Sequence, residues 1–215
     1  DVQHFKIGLL IHKVIEEYHV ASHNSFEDML ILLDKHWKNY KFIYKQQEQQ
    51  ERKDSKEMLE NYWNYIQLNP TSQPLIEYAF SFQVDDLILT GMCDRIDVDV
   101  DNNITIIDYK TSKKAQTEKQ LKNNIQLGIY ALLSQLDGIN FGGKRIKSMP
   151  KKLVMLYLRN KNPEVQVAFS EDEISKLVKK IKEVSLNIRS GKFPTNKSMY
   201  CDWCDYKNLL CPEFG

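Results

Sequence analysis

Two aspartates and a lysine have the types and the spacing of a metal-assisted catalytic site. Thirteen residues separate Asp94 from Asp108, and Lys110 follows Asp108 by two positions. Side chains two apart on a strand share a face, so Asp108 and Lys110 would project together. A half-buried carboxylate costs several kcal/mol unless it is compensated, and a divalent cation can compensate two converging acids. The spacing leaves open a salt-bridge cluster with a purely structural role.

The stretch that carries these residues is predicted to form two neighbouring strands. Asp101-Asn102-Asn103 is a turn signal between a strand over 87–100 and a strand that begins at Ile104. Because side chains alternate along a strand, one face of the first strand is largely apolar and carries a single carboxylate, Asp94. The residues of this face are Ile88, Thr90, Met92, Asp94, Ile96, Val98 and Val100.

An earlier stretch, Leu75–Val84, also alternates and is predicted to be a strand. Its aromatic row lies on one face, and Glu77 falls on the opposite, more polar face. On this pattern alone, Glu77 would face solvent.

Helical patterns precede and follow these strands. Apolar spacing predicts helices over 5–20, 26–40, 45–68, 117–136 and 174–189, and further strands over 152–158 and 164–169. Capping boxes at Ser25–Asp28 and Ser170–Glu173 support two of the helix starts. The order predicts an α/β (α+β) fold with a central mixed β-sheet flanked by helices.

Length and composition favour one domain of an ordinary globular protein. The 215 residues are 42% hydrophobic and 27% charged, with a net charge of +1. No apolar run is long enough for a membrane span, so we expect no membrane partner and a cytoplasmic location. We expect a helical part over 1–70, a catalytic core over 74–190 and a cysteine-containing tail over 191–215. Because the chain begins at Asp1, we also expect it to be a fragment of a longer protein.

Three of the four cysteines lie close together near the end of the chain. Cys201 and Cys204 have Cys-x2-Cys spacing, and Cys211 follows. In a chain without secretory features this pattern favours metal or cluster binding over disulfides. Cys93 neighbours Asp94 and is interpreted as a small buried thiol.

Five ordered motifs resemble those of the PD-(D/E)XK nucleases, in the RecB-like branch of helicase–nuclease domains and CRISPR-associated adaptation nucleases. The motifs are Gly8-x3-His12, Glu77, Gly91-x2-Asp94-Arg-Ile-Asp97, Asp108-Tyr-Lys110 and Gln126-x3-Tyr130. The resemblance covers nearly the whole chain and implies a restriction-endonuclease-like core.

The resemblance also implies roles for these residues. His12, Asp94, Asp108 and the backbone carbonyl of Tyr109 would bind Mg²⁺ or Mn²⁺, and the histidine nitrogen makes Mn²⁺ credible. Lys110 would act on the attacking water or the phosphate, either as a point charge or as a general base. Gln126 and Tyr130 would orient DNA or water. Glu77 would join the site, in conflict with its strand pattern.

The tail resembles that of the iron–sulfur members of the branch. Cys201, Cys204 and Cys211 match their three C-terminal cysteines, but the fourth cysteine expected upstream of His12 is not in this chain. The tail would then hold a [4Fe-4S] cluster with its fourth ligand outside this chain, or Zn²⁺, or no metal.

The resemblance implies a metal-dependent deoxyribonuclease, expected to be associated with the nucleoid and to act as an exonuclease in DNA repair or recombination. Its partners would be single-stranded DNA or duplex ends and a helicase module. The alternative is a catalytically inactive nuclease-like module that binds DNA or protein.

Overall fold

The computed structural model describes residues 2–214, with side chains from residue 6 onwards, as two compact units that meet in sequence between Ile174 and Ser175. The α-helices are α1 (Val2–Val20), α2 (Phe26–Trp37), α3 (Lys45–Leu68), α4 (Glu118–Leu121), α5 (Ile125–Leu132) and α6 (Glu171–Arg189). The strands are β1 (Leu75–Val84), β2 (Leu87–Val98), β3 (Ile104–Lys110), β4 (Ile139–Phe141), β5 (Lys144–Ile146), β6 (Lys152–Tyr157) and β7 (Glu164–Val167). That the whole chain is one domain stays a prediction.

The first unit is built on a five-stranded sheet with the order β1-β2-β3-β6-β7. Strands β3 and β6 are parallel, and the other neighbours are antiparallel, so the sheet is mixed as predicted. The parallel pair needs a crossover, which the chain makes through α4 and α5. Among the described residues, no helix is both long and apolar enough to span a bilayer.

Helices cover both faces of the central strand β3. Helices α1, α2 and α3 share a core with Ile107 and Tyr109 on one face of this strand. The alternate residue Asp108 faces the other way, where the Tyr130 hydroxyl of α5 reaches its carboxylate. Burial on both faces explains why a charged residue at this position needs specific partners.

The crossover differs from the single helix predicted over 117–136. It is broken into α4, α5 and a π-helical turn at Leu133–Asp137. The side chain of Asn124 accepts a hydrogen bond from the Leu127 backbone N–H and thereby caps a new helix start. Asparagine competes with the helical backbone in this way, so the continuous pattern was misleading.

The fold differs from the sequence analysis at two further points. The apolar face predicted for the strand over 87–100 is buried at Ile96 and Val98, but Ile88, Met92 and Val100 are exposed. Strand β2 pairs with β3 only over its last four residues, Arg95–Val98, so Leu87–Asp94 has only β1 as a neighbouring strand. A short hairpin, β4–β5, was also missed, although Gly142-Gly143 is a turn signal and both glycines have positive φ.

A buried polar network ties α1 and α3 to the two central strands. The Arg95 guanidinium is 1% exposed and donates to Asp97 at 2.8 Å and to the Tyr62 hydroxyl at 3.0 Å. The same hydroxyl lies 3.2 Å from that of Tyr109 and 2.6 Å from Nε2 of His19. The three partners of the Tyr62 hydroxyl come from α1, β2 and β3, so the network fixes how these elements meet α3.

The network makes stability depend on pH through His19. Burial, with the nearby Arg95 charge, lowers the pKa of His19 to about 4 from its usual 6.5. The folded state therefore holds His19 neutral, and its contribution is lost as pH falls from 6.5 towards 4. Over that range, we expect the stability advantage of wild type over His19→Gln to shrink by about 3 kcal/mol. Urea unfolding at pH 7, 5.5 and 4.5 measures this, and parallel pH profiles for the two proteins would contradict it.

Candidate active site

The site begins where β2 and β3 part. Their register runs from Val98 opposite Ile104 to Arg95 opposite Ile107, and pairing stops before Asp94 and Asp108. In place of a ladder bond, the Tyr109 backbone N–H donates to Oδ2 of Asp94 at 2.6 Å. A backbone donor fixes the Asp94 carboxylate and leaves Oδ1 available on its other side.

Helix α1 brings His12 to that other side. Nδ1 of His12 lies 3.6 Å from Oδ1 of Asp94, and its ring packs edge-on against Tyr109 at 5.5 Å between centroids. One turn earlier, a Cβ added to Gly8 would lie 3.2 Å from Oγ1 of Thr111. The glycine therefore allows α1 to approach the end of β3 closely, and this approach sets the position of His12.

Glu77 joins the same group through an unusual backbone conformation. The β1–β2 register puts Ile76 opposite Arg95 and Tyr78 opposite Cys93, so Glu77 falls opposite Asp94. Glu77 has φ of +49°, in the left-handed region that a non-glycine residue adopts only at a cost. Ligand atoms of His12, Glu77 and Asp94 all lie within 4.8 Å of one another. The prediction that Glu77 faces solvent is therefore wrong, because its pattern assumed regular strand geometry.

Asp108 and Lys110 form an adjacent, more buried pair. Asp108 is 2% exposed, and its Oδ2 lies 2.6 Å from Nζ of Lys110 but accepts no hydrogen bond of regular geometry from the described residues. Lys110 Nζ also donates to Oε1 of Gln126 at 3.2 Å. The lysine is thus held between a carboxylate and an amide, with about a third of its side chain exposed.

Helix α5 extends this chain of contacts. Nε2 of Gln126 donates to the Tyr130 hydroxyl at 2.9 Å, and that hydroxyl lies 2.9 Å from the Met92 carbonyl and 3.3 Å from Oδ1 of Asp108. The four-residue spacing puts both side chains on one helix face, as the motif requires. Sequence reasoning did not foresee the Met92 carbonyl, because a backbone acceptor leaves no mark in the sequence.

A glycine on β2 makes room for this arrangement. Gly91 lies opposite Phe80, and a Cβ added to Gly91 would come within 2.5 Å of the Phe80 ring. Phe80 in turn meets the Tyr130 ring edge-on, with 6.1 Å between centroids. The motif glycine therefore lets an aromatic ring on β1 support the tyrosine of α5.

The electrostatics of the site favour a bound cation. Burial and the neighbouring Asp94 raise the pKa of Asp108, and Lys110 only partly offsets this. Burial and Asp94 likewise raise the pKa of Glu77. Burial opposes protonation of His12, but Asp94, Asp108 and Glu77 together raise its pKa above the usual value. Three carboxylates with one histidine and one lysine leave an excess of negative charge that a divalent cation would relieve.

Comparison with known proteins decides the family. Residues 1–212 match the model of the PD-(D/E)XK nuclease superfamily. The chain belongs to this superfamily. The segment Asp108-Tyr-Lys110 has the (D/E)-X-K spacing for which the superfamily is named, and it lies where β2 and β3 separate.

One solved structure supports the fold of this chain. The crystal structure of a "putative exonuclease" from Eubacterium rectale aligns with 95% of this chain and 76% of its own, with a TM-score of 0.53 and 12% identity. A structure described as SSO0001 aligns with 100% of this chain and 99% of its own, with 15% identity and a TM-score of only 0.41. Among curated proteins, none matches this chain. The predicted restriction-endonuclease-like architecture is confirmed by the first structure.

The nuclease site fits a divalent cation. Two carboxylates and an imidazole converge within 4.8 Å, and this donor set suits Mg²⁺ or Mn²⁺. Asp108 does not belong to that triad of atoms, since Lys110 and Tyr130 hold its carboxylate. The Tyr109 backbone contributes its N–H to Asp94, and its carbonyl as a metal ligand stays a prediction.

The strained backbone at Glu77 predicts that Glu77→Gly raises the stability of the protein and weakens its metal binding. Glycine adopts positive φ freely, so Glu77→Gly should raise the free energy of unfolding by about 1 kcal/mol or more. It should also weaken Mn²⁺ binding, because one carboxylate of the triad is lost. Unfolding in EDTA and Mn²⁺ titration calorimetry measure the two effects. Glu77→Gln is the matched control, since it removes the charge but keeps the strain; an equal stability gain there would refute the role of strain.

The three tail cysteines lie in the second unit, around a cavity of about 530 Å³. Cys201, Cys204 and Cys211 line it together with apolar and aromatic side chains, among them Phe193 and Phe214. Tetrahedral zinc with bonds of about 2.3 Å would bring thiolates to about 3.8 Å from one another. In the part of the chain that the structure describes, His12, Glu77 and Asp94 form the only group of three metal-ligating side chains within 4.8 Å of one another, so at least one pair of the three thiols is farther apart than this.

Proposed function

We propose that this nuclease is a Mg²⁺- or Mn²⁺-dependent deoxyribonuclease that hydrolyses phosphodiester bonds. The observation that carries the proposal is the convergence of His12, Glu77 and Asp94 beside the Asp108–Lys110 pair. These residues come from α1, β1, β2 and β3, so only the folded chain brings them together. Such a group of acids around a lysine has the composition that phosphodiester hydrolysis needs.

The proposed chemistry divides the work among these side chains. A divalent cation held by the carboxylates and His12 would polarise the phosphate and lower the pKa of a water molecule. Lys110 stands 2.6 Å from Asp108 and projects its ammonium from a partly exposed position, where it can stabilise charge on a phosphate oxygen or orient the attacking water. Gln126 restrains the lysine, and Tyr130 restrains both Gln126 and Asp108.

Exonuclease action in DNA repair or recombination, within a helicase–nuclease, is part of the same proposal. Its support is the family membership, the RecB-like spacing of the motifs and the exonuclease name of the aligned Eubacterium rectale protein. The proposed partners are single-stranded DNA or duplex ends and a helicase module in the same or another chain.

Cleavage of linear and circular DNA tests the proposal. End-labelled single strands, blunt duplexes and closed single-stranded circles are incubated with Mg²⁺, Mn²⁺ or EDTA, for wild type and for Asp94→Ala. We expect metal-dependent degradation of linear DNA by wild type alone, with circles left intact. Cleavage of circles would replace exonuclease by endonuclease action, and activity in EDTA or in Asp94→Ala would overturn the site.

We further propose that the tail cysteines bind a metal centre. The support is the Cys201-x2-Cys204-x6-Cys211 spacing and the apolar cavity that the three side chains line, which suit an iron–sulfur cluster or a zinc ion. Elemental analysis and the visible spectrum of anaerobically purified protein distinguish the two. Stoichiometric zinc without iron would contradict the cluster, and neither metal would contradict a metal centre of any kind.

A further inference from the structure

We propose that a cavity beside the triad of His12, Glu77 and Asp94 binds an unpaired base, from a nucleotide next to the phosphate that is attacked. The inference rests on the proposed function, because it takes DNA as the substrate. It goes beyond that function, because it assigns recognition of a base to residues that follow α1 and take no part in the chemistry.

The cavity has a volume of about 850 Å³ and lies within the first unit. Its walls are the end of α1 with the turn that follows, the last turn of α3 with the segment 70–74, and β1 from Leu75 to Ala79. Glu77 belongs both to this wall and to the triad, so the cavity begins at the proposed metal position. Leu75 lies about 7 Å from Glu77 along the strand, within reach of a nucleotide whose phosphate is at the triad. The volume is also in the range of pockets that hold small organic ligands.

The charge of the lining favours a base over the sugar-phosphate backbone. Among the described residues that line the cavity, Glu77 is the only acid, and Arg95 is the only arginine or lysine. The Arg95 guanidinium is 1% exposed and already donates to Asp97 and Tyr62, so a phosphate in the cavity has no accessible arginine or lysine. Most other polar lining residues carry hydroxyl or amide groups, namely Ser22, Asn24, Gln67, Thr71, Ser72 and Gln73. Groups of this kind form hydrogen bonds with the edges of unpaired bases.

His23 supplies a ring on which a base can stack. Its ring centroid lies 6.2 Å from that of Tyr18, and its Nδ1 lies 3.6 Å from Oδ1 of Asp28. These contacts restrain the ring, while 36% of the side chain stays exposed. Histidine is among the side chains on which proteins stack single-stranded bases, so we assign the stacking surface to His23.

Ser22 occupies a position in the cavity wall where glycine is usual. The His23 backbone N–H donates to the Tyr18 carbonyl and the Ser22 N–H to the His19 carbonyl, both at 3.1 Å, and this pattern ends α1. Ser22 has φ of +55°, in the left-handed region that glycine adopts without cost. The serine therefore lowers stability but adds a hydroxyl to the wall, and strained residues of this kind occur at ligand-binding positions.

DNA without bases provides a test that needs no cleavage. The variant Asp108→Asn, in which cleavage is suppressed, is titrated with Mn²⁺ into labelled hexathymidylate and into a hexamer of stable abasic residues. Because one stacked base contributes about this much, we expect the abasic strand to bind about tenfold more weakly or worse by fluorescence anisotropy. Equal binding of the two strands, or binding of neither, would overturn the proposal.

Second substitutions in the same background assign this difference to the cavity. His23→Ala should reduce the ratio of the two Kd values about fivefold or more, whereas His23→Phe, which keeps a ring, should leave most of it. Ser22→Gly, which removes one hydrogen-bonding group, should reduce the ratio about threefold. An unchanged ratio in both His23→Ala and Ser22→Gly would contradict the assignment.

Melting temperatures exclude unfolding as the cause. Glycine relieves the positive φ, so Ser22→Gly should melt at a higher temperature even as it reduces the ratio. Asn102→Gly is the matched control, because Asn102 also has a positive φ, of +62°, in the exposed turn after β2. It should leave the ratio unchanged, and an equal reduction there would show that the effect does not belong to the cavity.

Cleavage by wild type separates this inference from the proposed function. A strand with a single abasic residue, in excess over the protein, is cut with Mn²⁺, and the products give the rate at each bond. If the inference is right, a bond beside the abasic residue is cut about tenfold more slowly than the others, and His23→Ala removes this difference. If every bond is cut at the same rate, base recognition fails and the nuclease stands. If the two hexamers bind with the expected difference but wild type cuts nothing, the cavity stands and the nuclease proposal fails.

Discussion

Replacing Asp108 with asparagine is expected to reduce DNA cleavage by more than about 10³-fold while the fold stays intact. The carboxylate lies at the centre of the site, with Lys110 at 2.6 Å and Tyr130 at 3.3 Å, and no other acid occupies its place among the described residues. Asparagine keeps the shape and can still accept from Tyr130, but it removes the negative charge. Single-turnover cleavage of a labelled oligonucleotide with Mg²⁺ or Mn²⁺ measures the loss.

The stability of the metal-free protein, unlike its activity, should not fall in Asp108→Asn. Burial and Asp94 raise the pKa of Asp108, so at neutral pH the ionised acid costs the folded state free energy in the absence of metal. Because the folded-state pKa lies above the unfolded value, this cost disappears as pH falls through the folded-state pKa. Asp108→Asn should therefore unfold at an equal or higher temperature than wild type at pH 7 in EDTA. Asp101→Asn, an exposed turn position, is the control; a marked drop in melting temperature for Asp108→Asn would mean a structural role.

Replacing Lys110 with methionine should lower cleavage by about 10²- to 10⁴-fold without weakening metal binding. Methionine keeps much of the length of the side chain and removes its positive charge. The substitution leaves the triad of His12, Glu77 and Asp94 unchanged. Removal of the positive charge of Lys110 also removes a repulsion from the metal ion, so Mn²⁺ binding should not weaken. Cleavage rates and Mn²⁺ titration calorimetry test the two halves of this prediction, with Lys114→Met as an exposed control on the loop after β3.

The same substitution should destabilise the metal-free protein, because Asp108 loses the cation beside its buried Oδ2. The cost should be on the order of 1–3 kcal/mol at pH 7, less than for a fully buried pair since Lys110 is partly exposed. It should shrink as pH falls and Asp108 becomes protonated. The double variant Lys110→Met/Asp108→Asn should regain stability but not activity. If the stability change of the double variant equals the sum of the two single changes, the two residues are not coupled.

Local signals in the sequence predicted much of the fold. The capping box at Ser25 and Asp28 forms as expected, and the Asp99–Asn103 turn is closed by hydrogen bonds from Asp101 and Asn103 to the Asp99 carboxylate. These features depend on residues within a few positions of one another, so a pattern can reveal them. The break at Asn124 was missed because it depends on one side chain competing with the helix backbone.

The sequence by itself determined which residues are available for chemistry: the motif acids, His12, Lys110, Gln126, Tyr130 and the three tail cysteines. It also determined the α/β class, because strand and helix periodicities are local. Only the tertiary structure decided that Glu77 faces His12 and Asp94, that the Tyr109 amide holds Asp94, and that Gly8 permits α1 to approach Thr111. These relations join elements far apart in the chain, where a strained φ, a parting pair of strands and a missing Cβ set the distances.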